Sequence, residues 1–179
     1  MLLSTDASIR EQHLAVRSHV GWYDFTHRLV EVKGPDALPF LEKLCVAAIH
    51  KAPLGGSKYT TMLNEQGLII DDTIVTHLAD DLYWVSGLYV QDQLNWFNAN
   101  KGEFRVEFRD ITEEWKMYSV QGPDSMELVN AVVDTPVDDL KFFRMQDNTM
   151  DGIPVKVARA GYTGEKRGYE IYIAADQEA

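Results

Sequence analysis

Two adjacent aspartates inside an apolar segment are the first feature of the sequence that could do chemistry. Asp71 and Asp72 lie in residues 68–75, a run that predicts a β-strand although aspartate is disfavoured there. Side chains alternate along a strand, so the two carboxylates are expected on opposite faces. Asp72 shares its face with Ile70 and Ile74, which predicts that it is the desolvated carboxylate, with a raised pKa unless it is paired. A bulge or strand end that exposes both aspartates is the alternative, and the local pattern favours neither interpretation.

A glycine-rich loop near the end of the chain is the second candidate. Residues 160–170 contain three glycines and also Tyr162, Glu165 and Glu170. Glycine lets the backbone approach a ligand closely, and tyrosine and carboxylate side chains are recognition groups. The segment is not a dinucleotide fingerprint, because the spacing is wrong and a strand is expected to follow. Taken alone, a plain hairpin loop is the default interpretation.

The remaining reactive side chains argue against metal or nucleophilic chemistry. The five histidines show no HxxxH or HExxH spacing, so no metal site is predicted. Serine and histidine lack a nucleophile-elbow context, which leaves a hydrolase triad unsupported. Cys45, the single cysteine, cannot form an internal disulfide and lies in an apolar run, which predicts a packing residue.

Composition excludes several classes of partner. The chain has 179 residues, of which 45% are hydrophobic, and a formal net charge of -11. An acidic surface does not neutralise phosphates, so no nucleic-acid partner is expected, and an anionic ligand would need a local patch. No apolar run approaches the length of a membrane span, and the first residues lack the features of a signal peptide. The sequence therefore predicts a cytoplasmic protein without a membrane partner.

Short strands, with a few helices between them, would position these candidate residues. Helices are predicted from Gly34-Pro35-Asp36 to about Leu44 and over residues 90–99. Strands are predicted at 29–32, 58–63, 68–78, 82–86, 104–108, 153–158 and 169–173.

One strand–turn–helix pattern occurs twice. Residues 120–124 repeat residues 32–36, each with Gly-Pro-Asp after a strand and before a helix. Coincidence is the alternative, since such turns often use these residues, but matching apolar flanks favour an internal duplication. We therefore expect an α+β fold of two related halves, roughly 21–110 and 111–179, with mostly antiparallel sheets flanked by helices.

Six segments in this order resemble the aminomethyltransferase family, the group of the glycine cleavage T-protein. They are residues 21–27, 32–44, 59–67, 70–75, 120–123 and 159–165. The similarity runs over residues 21–173, and six ordered motifs are hard to reach by chance. The resemblance implies a T-protein-like folate-binding fold, with residues 1–179 as its N-terminal portion and without the small β-rich domain of family members.

The resemblance also implies a tetrahydrofolate site and a role for each of four residues. The second aspartate of the pair would lie beside the reactive edge of the pterin, so Asp72 is expected to orient and electrostatically assist one-carbon transfer. Glu170 would accept hydrogen bonds from the amino and ring N–H groups of the pterin. Tyr59 and Tyr162 would line the pocket by ring packing.

Several positions depart from the family pattern and leave the donor open. Thr76 stands where a tyrosine is usual, and residues 46–48 and 85–89 replace two further family stretches. The leading expectation is a folate-dependent transferase of an aminomethyl or methyl group. For glycine cleavage itself, the donor would ride on a lipoyl carrier protein. A demethylase of small methylated compounds and a non-catalytic folate-binding or scaffold relative are the alternatives.

Overall fold

The structure, a computed structural model, describes residues 7–177. Its α-helices are α1 (Ile9–Ser18), α2 (Ala37–Leu44), α3 (Val90–Asn100) and α4 (Ser125–Val132). Its strands are β1 (Gly21–Asp24), β2 (Arg28–Lys33), β3 (Ser57–Leu63), β4 (Ile69–Ala79), β5 (Leu82–Gly87), β6 (Glu107–Asp110), β7 (Trp115–Gln121), β8 (Met145–Met150), β9 (Ile153–Ala158) and β10 (Gly168–Ala174). Short 3-10 helices lie at Ile49–Lys51, Thr112–Glu114 and Ala175–Gln177.

These elements divide into two compact units. The continuous unit is His27–Glu113, and the split unit joins the described residues up to Thr26 to those from Glu114 onward. Each unit has its own sheet and its own cluster of buried apolar side chains.

The continuous unit is a five-stranded antiparallel sheet with α2 and α3 against one face. Its strand order is β3-β4-β5-β2-β6, so β2 lies between a β3–β4–β5 meander and the edge strand β6. Val30, Val75 and Val85 of the sheet pack with Phe40 of α2 and Phe97 of α3 in the core. Side chains at the intervening strand positions therefore lie on the opposite face.

The split unit repeats this arrangement. Its strand order is β1-β7-β10-β9-β8, and every pairing is antiparallel. Val129 of α4 packs with Val120 and Tyr169 of the sheet. Tyr169 pairs with Val120 as Tyr83 pairs with Val32 in the continuous unit, and both tyrosines are buried. Equivalent positions of the two cores thus hold the same residue type.

The turns that follow β2 and β7 also have the same geometry. Gly34 and Gly122 have φ values of 135° and 132°, a backbone conformation that residues with a side chain rarely adopt. A Cβ at Gly34 would overlap the backbone of Arg105, and one at Gly122 would overlap the backbone of His19. Together with the matching strand orders, this geometry supports the predicted duplication.

The edge strand of the split unit comes from early in the chain. The predicted halves assign Gly21–Asp24 to the first half, roughly 21–110. In the structure this strand, β1, pairs with β7 and takes the place that β6 has in the continuous unit. The sequence of a four-residue strand does not indicate which strand it will pair with, because the surrounding sheet sets both the partner and the register.

The strand predicted at 104–108 begins later than expected. β6 starts at Glu107, because the Val106 N–H donates to the Phe104 carbonyl and the Asp36 carboxylate accepts from the Arg105 N–H. Phe104 and Val106 still pack on the core, which explains their alternation in the sequence. None of the helices within residues 7–177 is long and apolar enough to cross a membrane.

Candidate functional site

Neither interpretation of the two aspartates is correct, because one carboxylate is buried and the other exposed, but the buried one is Asp71 and not Asp72. Asp71 is 1% exposed, whereas Asp72 is exposed. The strand carries a bulge, since residues 62–63 pair with Asp71 and Ile69 and skip Ile70. Two consecutive side chains at the bulge, those of Ile70 and Asp71, therefore lie on the core side. The expectation of a desolvated Asp72 was wrong because it counted the alternation through Ile70.

Asp71 forms hydrogen bonds with the residues at the start of α3. Its Oδ2 accepts hydrogen bonds from the N–H groups of Leu88 and Tyr89, each at 3.1 Å, and from Gln93 Nε2 at 2.5 Å. A Cβ on Gly87 would overlap the side chains of Asp71 and Gln93 and would displace this hydrogen-bonded pair. Asp71 is therefore a structural carboxylate of the β5–α3 connection.

Asp72 and Tyr59 meet on the opposite face of the same sheet. The Tyr59 O–H donates to Asp72 Oδ2 at 3.0 Å, and the Tyr59 side chain is half exposed. This hydrogen bond raises the pKa of Tyr59, because it stabilises the neutral phenol beside a carboxylate. Asp72 Oδ1 accepts no hydrogen bond within residues 7–177. The structure thus brings two of the predicted residues together as a hydrogen-bonded pair.

Ser86 and His27 form a polar pair that the sequence did not predict as part of a site. Ser86 pairs with Ile74 between β4 and β5, so it shares the face that carries Asp72. Its hydroxyl lies 3.3 Å from His27 Nδ1. Burial lowers the pKa of His27, which favours the neutral imidazole. The available signal was the position of His27 at the end of the first family-like segment.

The glycine-rich loop is shaped by the buried side chain of Gln121. Its Nε2 donates to the Ala160 carbonyl at 3.1 Å, and its Oε1 accepts from the Thr163 hydroxyl at 3.1 Å. A Cβ on Gly161 or on Gly168 would overlap Gln121. These two glycines therefore make room for a packing side chain of their own unit, a requirement that the sequence pattern does not reveal.

Glu170 is a buried carboxylate of β10. It is 4% exposed, and its Oε2 accepts a hydrogen bond from the Tyr172 O–H at 2.9 Å. Burial raises the pKa of Glu170, and the hydrogen bond from Tyr172 acts in the opposite direction. Within the described part of the chain, no lysine, arginine or histidine forms an ion pair with this carboxylate.

The two residues that lie directly opposite Glu170 in the sheet have short side chains. Ser119 of β7 and Ala158 of β9 lie directly opposite it, and Gly168 precedes it by two residues on the same face. Tyr169 and Ile171, its sequence neighbours, belong to the core on the other face. The residues directly opposite Glu170 on both adjacent strands are therefore short.

The four predicted residues fall in two places. Tyr59 and Asp72 belong to the continuous unit, whereas Tyr162 and Glu170 belong to the split unit. Tyr162 is 52% exposed in the loop before β10 and raises the pKa of Tyr172, after the larger effects of burial and Glu170. Within residues 7–177, no group of three His, Cys, Asp or Glu side chains is placed to hold a metal ion.

Comparison with known proteins identifies this α+β arrangement of two related sheets. The family described as the GCVT N-terminal domain matches residues 3–179. The match spans nearly the whole chain, and the chain belongs to this family. The resemblance carried by the six sequence segments is thereby confirmed.

Individual relatives agree with the family. A probable aminomethyltransferase from Thermococcus kodakarensis is 36% identical over 175 residues, which cover 93% of this chain and 44% of the relative. An aminomethyltransferase from Lysinibacillus sphaericus is 35% identical over 174 residues, which cover 95% and 47%. The chain thus spans about half the length of the relatives it matches.

Solved structures confirm the predicted fold class. The glycine cleavage system aminomethyltransferase T from Bartonella henselae superposes with a TM-score of 0.86 at 26% identity, covering 98% of this chain and 48% of that chain. A heterotetrameric sarcosine oxidase from Corynebacterium has a TM-score of 0.63 at 12% identity, a likeness of fold alone.

Proposed function

We propose that this chain is the folate-binding part of a tetrahydrofolate-dependent aminomethyltransferase. Membership of the GCVT N-terminal domain family and the names of the relatives support this activity. The observation that carries the proposal is the Tyr59–Asp72 pair, a carboxylate oriented by one hydrogen bond on the sheet face away from the core.

Asp72 is the proposed catalytic residue. Tetrahydrofolate, when bound, supplies the nitrogen that accepts the one-carbon unit. The Asp72 carboxylate would stabilise positive charge that develops during transfer and could take up a proton at Oδ1. The Tyr59 O–H holds Oδ2 and so orients the carboxylate before the reaction, which reduces the reorganisation that transfer requires.

Glu170 is the proposed recognition group for the pterin. A pterin presents an amino group and a neighbouring ring N–H, and an ionised carboxylate accepts from both. Glu170 fits this role because the residues opposite it, Ser119 and Ala158, have short side chains. In addition, no cationic side chain of the described residues forms an ion pair with its carboxylate. Tyr162 offers a half-exposed ring that can pack against the ligand.

The proposed donor is an aminomethyl group held by a lipoyl carrier protein. This part of the proposal draws on the glycine cleavage system named for the Bartonella henselae relative. A small methylated compound is the alternative donor, because Thr76 and residues 85–89 differ from the family pattern.

Calorimetric titration with tetrahydrofolate under anaerobic conditions tests the folate site. We expect the unaltered chain to bind, and Glu170→Gln to weaken binding roughly tenfold or more, because a neutral amide replaces a charged acceptor. Asp72→Asn should lower the transfer rate more than the affinity. Asp80→Asn, a change at another exposed aspartate after β4, is the control and should bind normally. Absence of binding by the unaltered chain would refute the folate site in this chain.

A donor comparison tests the activity. The chain is incubated with tetrahydrofolate and either an aminomethyl-loaded lipoyl carrier protein, methylated amines or methylated sulfonium compounds, and the folate products are separated and quantified. Methylenetetrahydrofolate formed from the carrier, and lost in Asp72→Asn, is the expected result. Product from a methylated compound alone would assign a demethylase, and folate binding without any product would assign a non-catalytic relative.

A further inference from the structure

We propose that Tyr172 is the positioning residue of Glu170: its hydroxyl orients the buried carboxylate toward a ligand that donates two N–H groups and opposes its protonation. This inference rests on the proposed function, in which Glu170 recognises the pterin. Tyr172 is not among the residues that the six family-like segments contain.

The geometry places the two side chains in a fixed relation. Glu170 and Tyr172 are alternate residues of β10, so they lie on the same face, away from the core of their unit. Both are buried, and the phenol O–H donates to Oε2 at 2.9 Å. β10 pairs on both sides, with β7 and with β9, so its backbone is held by two neighbours. The hydroxyl therefore fixes one carboxylate oxygen, and Oε1 accepts no hydrogen bond within residues 7–177.

The charge state of Glu170 determines whether it can accept hydrogen bonds from the pterin, and the Tyr172 hydrogen bond affects that charge state. A protonated carboxylic acid would present one O–H donor where the pterin also presents donors. Burial raises the pKa of Glu170 and so favours that unsuitable form, while the Tyr172 hydrogen bond lowers the pKa and opposes it. Without the hydroxyl, a larger fraction of Glu170 would be protonated at a given pH.

Other titratable groups of the split unit are placed relative to Glu170 by the strand register or by their effect on Tyr172. Lys156 of β9 lies opposite Tyr172 and forms an ion pair with Asp147 of β8 at 2.5 Å. Tyr23 of β1 lies opposite Ser119, one strand beyond it. Tyr162 acts electrostatically on Tyr172. Burial and the Tyr172 hydrogen bond are the causes that set the pKa of Glu170.

The test compares Tyr172→Phe with Tyr169→Phe. Both changes remove one hydroxyl from β10, but Tyr169 points into the core on the opposite face and serves as the matched control. The side-chain carboxyl of Glu170 is titrated by carbon NMR in the ligand-free chain and assigned with Glu170→Gln. We expect its midpoint to rise by about one pH unit or more in Tyr172→Phe, the size expected for losing a hydrogen bond to a charged group, and to stay unchanged in Tyr169→Phe.

Tetrahydrofolate titrations of the same variants across pH give the functional readout. Tyr172→Phe should bind roughly tenfold more weakly near neutral pH and recover affinity as the pH rises, since Glu170 then ionises without help. An unchanged Glu170 midpoint in Tyr172→Phe overturns the inference whatever the folate result. If the unaltered chain does not bind tetrahydrofolate, the proposed function fails instead, and the carboxyl titration alone decides whether Tyr172 controls Glu170.

Discussion

Asp71 and Asp72 are consecutive residues of β4 with opposite environments, and their substitution should separate folding from function. Asp71→Asn removes a buried charge whose Oδ2 accepts three hydrogen bonds, so we expect it to lower the free energy of unfolding by about 1–3 kcal/mol. Asp72→Asn changes an exposed side chain and should stay within about 0.5 kcal/mol of the unaltered chain. Urea unfolding followed by circular dichroism measures both.

The same pair of variants also distinguishes the two aspartates in the folate reaction. Asp72→Asn should reduce transfer while the chain stays folded. A destabilisation by Asp72→Asn as large as that of Asp71→Asn would contradict the division of roles, because it would mean that both carboxylates hold the fold.

Glu170 should make stability depend on pH in a defined direction. Burial raises its pKa above the ordinary value of 4.5, so the folded chain binds this proton more tightly than the unfolded chain. The resulting penalty is absent below about pH 4.5 and grows as the pH rises through the raised pKa. Glu170→Gln stays neutral and can still accept from Tyr172, so it should be more stable than the unaltered chain at pH 8, by about 1.4 kcal/mol for each unit of the shift.

Urea unfolding of Glu170→Gln and the unaltered chain at pH 4.5, 6 and 8 checks this sign. The difference in free energy of unfolding should vanish toward pH 4.5. A glutamine variant that is less stable at pH 8 than at pH 4.5, relative to the unaltered chain, would show that the folded structure favours the ionised carboxylate.

At the scale of elements, the duplicated turn predicts a shared requirement for glycine. Gly34→Ala and Gly122→Ala each combine a strained φ with overlap against backbone, so each should cost about 2 kcal/mol or more. Gly67→Ala is the matched control: φ is 77°, but nothing lies within 4 Å of the added Cβ, so the expected cost is about 1 kcal/mol. Thermal and urea unfolding of the three variants measure these costs, and equal costs at all three positions would refute the packing argument.

Elements with strong local signals were predicted well from the sequence. β4 and β5 lie close to their predicted positions, and α2 begins directly after the Gly-Pro-Asp turn. β8 was not predicted, because its sequence is mostly polar and lacks the apolar alternation that indicates a strand. Its polar side chains form hydrogen bonds instead. Asn148, for example, accepts from the Thr135 N–H and donates to the Thr135 carbonyl. α1 was also missed, although Ser8 and Glu11 form a capping box that the sequence contains.

The residues of the candidate site were harder to predict from sequence patterns than the fold. The prediction of Asp72 rested on the family resemblance, while the alternation argument for its burial failed at the Ile70 bulge. Cys45 packs against the core of the continuous unit as predicted, and burial raises the pKa of its thiol to about 12. Tyr172 and Gln121 could not be singled out, because their roles depend on which strands become neighbours.

At the scale of the whole molecule, one unit is an uninterrupted segment inserted in the other. The ends of the continuous unit are held together, since the Leu29 N–H donates to the Thr112 hydroxyl at 3.0 Å and the Ile111 N–H donates to the Leu29 carbonyl at 2.8 Å. The unit also has its own five-stranded sheet and its own apolar core. A segment with closed ends and a separate core has the properties of an independent folding unit.

We therefore expect residues 27–113, expressed alone, to fold and to unfold cooperatively in urea, with an m-value of about 1 kcal/mol/M. Val85→Ala, which empties space in the core of this unit, should lower its free energy of unfolding by about 2 kcal/mol, whereas Asp80→Asn at an exposed turn should leave it nearly unchanged. A broad transition without a baseline, insensitive to Val85→Ala, would contradict the expectation and would mean that residues outside 27–113 are needed to complete this core.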